Sequence, residues 1–179
     1  MNISKLITNM IDQMVEAQIK LGYSKETITL YYPLDSLNRI LGTSYESGTE
    51  LAEALTEALD KENQRLGTVQ ITVQGKRLGI ILPPEAGEYV HENVTRPDFL
   101  VELIHLFEKN HHCTIEEIKA VFEKYSSDFV CEKMPEDGEF DYVLYFPDQM
   151  VDSYYYCIRM ELGHTIYHRF LEEDYRRLF

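Results

Sequence analysis

The chain contains no tryptophan, only three cysteines, and 17 lysines and arginines against 31 aspartates and glutamates. The shortage of cations restricts function most. With a net charge of −14, the chain repels polyanions such as nucleic acid and anionic lipid at long range unless a local basic patch overrides the field. Neither half supplies one: residues 1–95 carry 8 Lys+Arg against 13 Asp+Glu, and residues 96–179 carry 9 against 18. Nucleic acid and membrane therefore drop out as expected partners. Cys113, Cys131 and Cys157 are odd in number and far apart, with no C-x-x-C spacing, which argues against both a disulfide framework and a thiolate zinc site. They point to a reducing, cytoplasmic location. A long apolar run is also missing at the start, where Asn9, Asp12, Gln13 and Glu16 interrupt "MNISKLITNMIDQMVEAQIKLG"; no signal peptide or membrane span is expected there. A nucleophile elbow, a phosphate loop and a carboxylate-rich metal loop are absent too. No catalytic or cofactor-binding residue is assigned.

What is present suits an ordered α+β fold. Apolar residues make up 44% of the chain and aromatics 12%, enough for a packed core. Ile3, Ile7, Met10, Met14, Ala17 and Leu21 recur at heptad-like spacing, predicting an amphipathic helix that packs on its own domain or forms a homodimer through residues 3–21. "ETITLYYP" reads as a short strand ended by Pro33, and "PLDSLNRILG" as a short helix stopped by Gly42. "SGTELAEALTEALDKENQRLG" reads as a helix with Leu51, Leu55, Ala58, Leu59 and Leu66 on one face, running to Gly67.

The period then changes to two. "TVQITVQGKRLGIIL" predicts two strands joined at Gly75-Lys76. A two-residue turn there pairs Gln74 with Arg77, Val73 with Leu78, Ile71 with Ile80 and Val69 with Leu82, so the apolar pairs share one face. Helix, strand, two helices and a two-stranded wing form an order that resembles a winged-helix domain over residues 1–92. The prolines, glycine and turn formers of "PPEAGEYVHENVTRP" mark the expected boundary. Residues 96–179 read as a second α+β unit, either separate or packed with the first as one domain. It contains the helices "DFLVELIHLFEKN" and "TIEEIKAVFEKY", the latter with a Thr114/Glu117 capping box. An antiparallel meander of "DFVCEKM", "EFDYVLYF" and "SYYYCIRME" follows.

"EAQIKLGYSKETITLYYPLDSLNRILG" near the start and "YHRFLEEDYRRLF" at the end together resemble a family of bacterial hypothetical proteins known only as a domain of unknown function. The resemblance spans nearly the whole chain. It implies a bacterial, full-length protein, and brings no activity, cofactor or catalytic residue with it.

Three constellations remain. First, a winged helix raises the question of DNA binding. The helix that would read bases turns Glu53, Glu57, Asp60 and Gln64 outward, whereas readers bring Arg, Lys, Asn or Gln to the duplex; the wing offers Lys76 and Arg77. Second, Tyr142, Tyr145, Tyr154, Tyr155, Tyr156, Tyr167 and Tyr175 concentrate late in the chain and suit either an interaction surface or the two faces of a half-buried sheet.

Third, in "ELGHTIYHRF" His164 and His168 are four apart. On a helix over 162–178 they share an exposed face, with Glu161 and Glu172 as the local carboxylates for a metal site. On a strand they share a sheet face about 13 Å apart at roughly 3.3 Å per residue, too far for one ion. "HHC" at 111–113 places its side chains in different directions within a helix connection. The leading expectation is a non-enzymatic protein-interaction or scaffold module. The alternatives are a DNA-binding transcriptional regulator and a metal-dependent enzyme using His164 and His168.

Overall fold

Asn2 starts the first helix by accepting a 3.1 Å hydrogen bond from the Lys5 amide, and α1 runs Ile3–Leu21. The computed structural model describes residues 1–63 and 65–179, and of Glu62 it describes the backbone alone. The chain folds as two units, Met1–Arg96 and Pro97–Phe179. Among the described residues there are seven helices and two antiparallel sheets, which makes the fold α+β.

The buried face of α1 is Ile3, Leu6, Met10, Met14 and Val15 together with the polar Asn9 and Gln18. This shifts the expected seam: Ile7 and Ala17 are half-buried and Leu21 is 87% exposed. Packing on α2, α3 and α4 covers a broader stripe than a heptad seam. The two buried amides stay because each is satisfied. Asn9 accepts from Gln13 and from the Tyr32 hydroxyl, both at 2.8 Å, and Gln18 donates to the Gly87 carbonyl at 2.8 Å.

Strand β1 (Ile28–Pro33) leads into α2 (Leu34–Leu41), which Gly42 ends in the left-handed conformation at φ 66°. Helix α3 (Gly48–Glu62) buries Leu51, Leu55 and Leu59. It stops at Asn63, short of the expected Gly67. The Asn63 side chain accepts from the Arg65 and Leu66 amides at 3.2 and 3.0 Å and donates to the Gly67 carbonyl. It thus offers the backbone partners outside the helix. Strands β2 (Gln70–Gln74) and β3 (Arg77–Leu82) pair Gln74 with Arg77, Val73 with Leu78 and Ile71 with Ile80, the register set by the Gly75-Lys76 turn. β1 lies on the other side of β3, so the order is β1-β3-β2.

Residues 83–97, expected as the boundary between the units, are mostly helical: α4 covers Pro84–Asn93. Pro84 sits in the first turn, where a missing amide costs nothing, and the prolines there initiate the helix. Ala86, Gly87 and Val90 are its buried residues.

In the second unit α5 (Asp98–Lys109) and α6 (Ile115–Tyr125) pair, and the Thr114/Glu117 capping box forms in both directions. Then β4 (Val130–Lys133), β5 (Tyr142–Tyr145), β6 (Tyr154–Glu161) and β7 (His164–Leu171) make a meander in the order β4-β5-β6-β7, and α7 (Glu172–Leu178) follows. Residues 162–171 therefore do not belong to a helix. Leu162 and Gly163 turn the chain with φ of 49° and 78°, as a tight hairpin loop requires. Thr165 and Ile166 then continue in extended form. Phe99 meets Phe122, Phe146 and Tyr156 edge-on at 4.9 to 5.7 Å, a favoured arrangement for aromatic cores.

Candidate functional site

The late tyrosines distribute over both faces of the second sheet. Pairing of Tyr142 with Ile158, Ile158 with Tyr167, and Leu144 with Tyr156 puts Tyr142, Tyr154, Tyr156 and Tyr167 on one face. Tyr145 and Tyr155 lie on the other. Tyr154, Tyr155 and Tyr156 are buried, with exposures of 7%, 8% and 0%. Their rings are committed to packing: Tyr155 stacks on Tyr145 at 4.2 Å and on Tyr175 of α7 at 4.6 Å. Burial, then the nearby Glu172 carboxylate, pushes the Tyr155 phenol up. The same cluster holds Met134, Phe140, Val143 and Cys157. Burial, assisted by Glu139, raises the Cys157 thiol to about 12.

The opposite face carries a buried ion pair that no motif announces. Arg169 and Asp152 have side-chain exposures of 7% and 6%, with Arg169 Nη2 3.5 Å from Asp152 Oδ2. The guanidinium carbon stands 4.0 Å from the Tyr154 ring centre. Asp152 also accepts from the Tyr156 hydroxyl at 2.9 Å and the Tyr154 amide at 2.8 Å. Its one sequence signal is position: Arg169 falls on the inward repeat Thr165, Tyr167, Arg169, Leu171, where a charge needs a partner.

The four metal candidates do not converge. His164 and His168 sit at opposite ends of a five-residue run of β7, opposite Glu161 and Cys157 respectively. Glu161 pairs with Arg159, and Glu172 is held by Gln149 and Arg176. The His168 ring meets Phe140 edge-on at 5.3 Å. His164 instead stacks on His112, from the α5–α6 connection, at 5.5 Å. Among the described residues no group of three or more His, Cys, Asp and Glu side chains could hold a metal ion.

In the first unit, Glu53, Glu57 and Asp60 are exposed along α3, and Gln64 lies outside the described residues. Lys61 pairs with Glu57 at 2.7 Å and holds its carboxyl below the usual range. A cleft of about 370 Å³ beside the start of α3 is lined by Ser44, Tyr45, Glu46 and Glu50, and one of about 210 Å³ lies at Leu59, Asp60, Asn63 and Gly67. His164 and His168 line neither.

The fold and these surfaces define an α+β chain with an acidic helix face in one unit and a sheet lined by aromatics on both faces in the other. The chain belongs to the family DUF3877, described as a domain of unknown function with an E. rectale gene description; the family model matches residues 3–179. No curated protein and no solved structure matches it. No helix among the described residues is long and apolar enough to cross a membrane.

Proposed function

We propose that the chain is a non-enzymatic protein-interaction module whose N-terminal unit, a winged helix used as a scaffold, offers α3 to a basic partner surface. The observation that carries this reading is the exposed row Glu53, Glu57 and Asp60 on α3. The order α1-β1-α2-α3-β2-β3, with strands arranged β1-β3-β2, supports the winged-helix part. In a DNA-reading winged helix α3 would face phosphates, and three carboxylates there oppose binding. The adjoining cleft places the Tyr45 side chain beside Glu46 and Glu50, chemistry suited to a lysine or arginine. The free thiols of Cys113, Cys131 and Cys157 fit the cytoplasmic location the reading assumes. Self-association through residues 3–21 draws less support, because Ile3, Met10 and Met14 pack within their own unit.

The test is a partner captured by crosslinking in bacterial cells, purified, and titrated against the wild type and the triple variant Glu53→Lys, Glu57→Lys, Asp60→Lys. The reading expects at least a tenfold loss of affinity with an unchanged circular dichroism spectrum, and association by the wild type that slows with salt. Unchanged affinity in the triple variant contradicts it.

A further inference from the structure

We infer that His112 and His164 form a chelating pair for a divalent transition-metal ion, which ties the α5–α6 connection to the start of β7. The two imidazoles come from segments far apart in the chain, and their ring centres lie 5.5 Å apart at an interplanar angle of 20°. With metal–nitrogen bonds of about 2.0 to 2.1 Å, two imidazoles on one tetrahedral ion have centres about 5 Å apart. The two rings are stacked here, so their in-plane lone pairs run side by side; rotation about the soft terminal torsion of each histidine turns them toward a common ion.

The pair is seated by the surrounding backbone. The Thr165 amide donates to the His111 carbonyl at 2.8 Å, and the Thr165 hydroxyl donates to the Cys113 carbonyl at 2.7 Å. These bonds flank both histidines and hold the two segments in register. The His112 amide donates to Asn110 Oδ1 at 3.1 Å. Gly163 completes the seat: a Cβ there would stand 3.0 Å from His112 Cε1 and 3.2 Å from Nδ1, so the His112 ring occupies space that any other residue would take. Both histidines are exposed, which leaves water access to the remaining coordination positions. Glu161, across the hairpin from His164, is engaged by Arg159 and does not complete the set. A two-imidazole site selects ions that favour nitrogen, such as zinc, nickel or copper. It binds them reversibly, unlike a closed four-ligand structural site.

The experiment uses the untagged full chain, stripped with chelator, and Ni²⁺ as the probe. Titration calorimetry and the thermal midpoint are read for the wild type and for His112→Gln, His164→Gln and His168→Gln, with circular dichroism to show that each variant folds. The inference expects one saturable site per chain and a rise in the midpoint with Ni²⁺. It expects at least about tenfold weaker binding in His112→Gln and in His164→Gln, and wild-type binding in His168→Gln. Absence of saturable binding in the wild type overturns it. So does wild-type affinity in His112→Gln, or an equal loss in His168→Gln.

Discussion

The Arg169 guanidinium lies 4.0 Å above the Tyr154 ring while its charge is met by Asp152, and both ionic side chains are more than nine-tenths buried. A buried charge that loses its partner is costly, whereas replacing both members with apolar groups is often neutral. Asp152→Ala is expected to destabilise by about 3 to 5 kcal/mol. The double variant Asp152→Ala, Arg169→Met should lose much less than the sum of the single changes. Urea unfolding of the three variants measures this, and an effect of Asp152→Ala near zero contradicts the assignment.

Glu102 joins α5 to α6 by accepting from Lys124 at 2.6 Å and from the Tyr125 hydroxyl at 2.8 Å. Those bonds, Lys124 first, hold its carboxyl below the usual range. Its contribution is therefore present above pH about 4.5 and lost as pH falls through the lowered folded value. The Tyr125 phenol is pushed up to about 12, by burial first and Glu102 second. Its contribution is present below pH about 10 and lost as pH rises towards 12. Glu102→Gln should flatten the acid limb of the stability profile, and Tyr125→Phe should cost about 1 kcal/mol. Thermal melts from pH 3 to 11 decide both; an acid limb identical to wild type counts against the Glu102 clasp.

The thiols should differ in reactivity. Cys113 and Cys157 are 2% and 0% exposed, and Cys131 is half-buried. With its thiol at about 12, Cys157 is thiolate in roughly one molecule in 10⁴ at pH 8. Native titration with a disulfide reagent should modify Cys131 first, with Cys113 and Cys157 reacting on unfolding. Early labelling of Cys157 would show that the aromatic cluster is open.

Leu162 holds φ at 49° and is 93% exposed. A left-handed conformation costs an ordinary residue about 1 to 2 kcal/mol, and Asn-Gly is the preferred pair for such a turn. Leu162→Asn should raise stability by about 1 kcal/mol, read as a shift of the urea midpoint at constant slope. A lowered midpoint would mean that Leu162 makes a contact worth more than its strain.

Local chemistry made the register of the β2–β3 hairpin readable, because Gly75 and the alternation from Ile71 to Ile80 demand the same pairing, although β2 begins at Gln70 and the expected Val69–Leu82 pair lies beyond the ladder. It also made the Thr114/Glu117 box readable. The end of α3 was misjudged because the Asn63 side chain competes for backbone donors, an effect invisible to apolar periodicity. α4 was missed because Pro83 and Pro84 read as breakers when they stand at a helix start. His164 and the "HHC" run at 111–113 were each legible as candidates but their meeting was not: His112 reaches His164 through the packing of a helix connection on a hairpin, a contact that local spacing does not encode. The pairing of Arg169 on β7 with Asp152, in the segment just before β6, is of the same kind, a contact across 17 residues.

Whether α3 is an acidic protein-facing surface or a DNA reader is decided by an anisotropy titration of labelled duplex DNA with the purified full chain. It should be run at about 150 mM salt, near which nonspecific duplex affinities are weak. An acidic protein-facing α3 gives no saturable binding up to about 100 µM protein, the upper end of that weak range. Submicromolar binding that is lost on Lys76→Ala with Arg77→Ala would contradict it and make the β2–β3 hairpin a DNA contact.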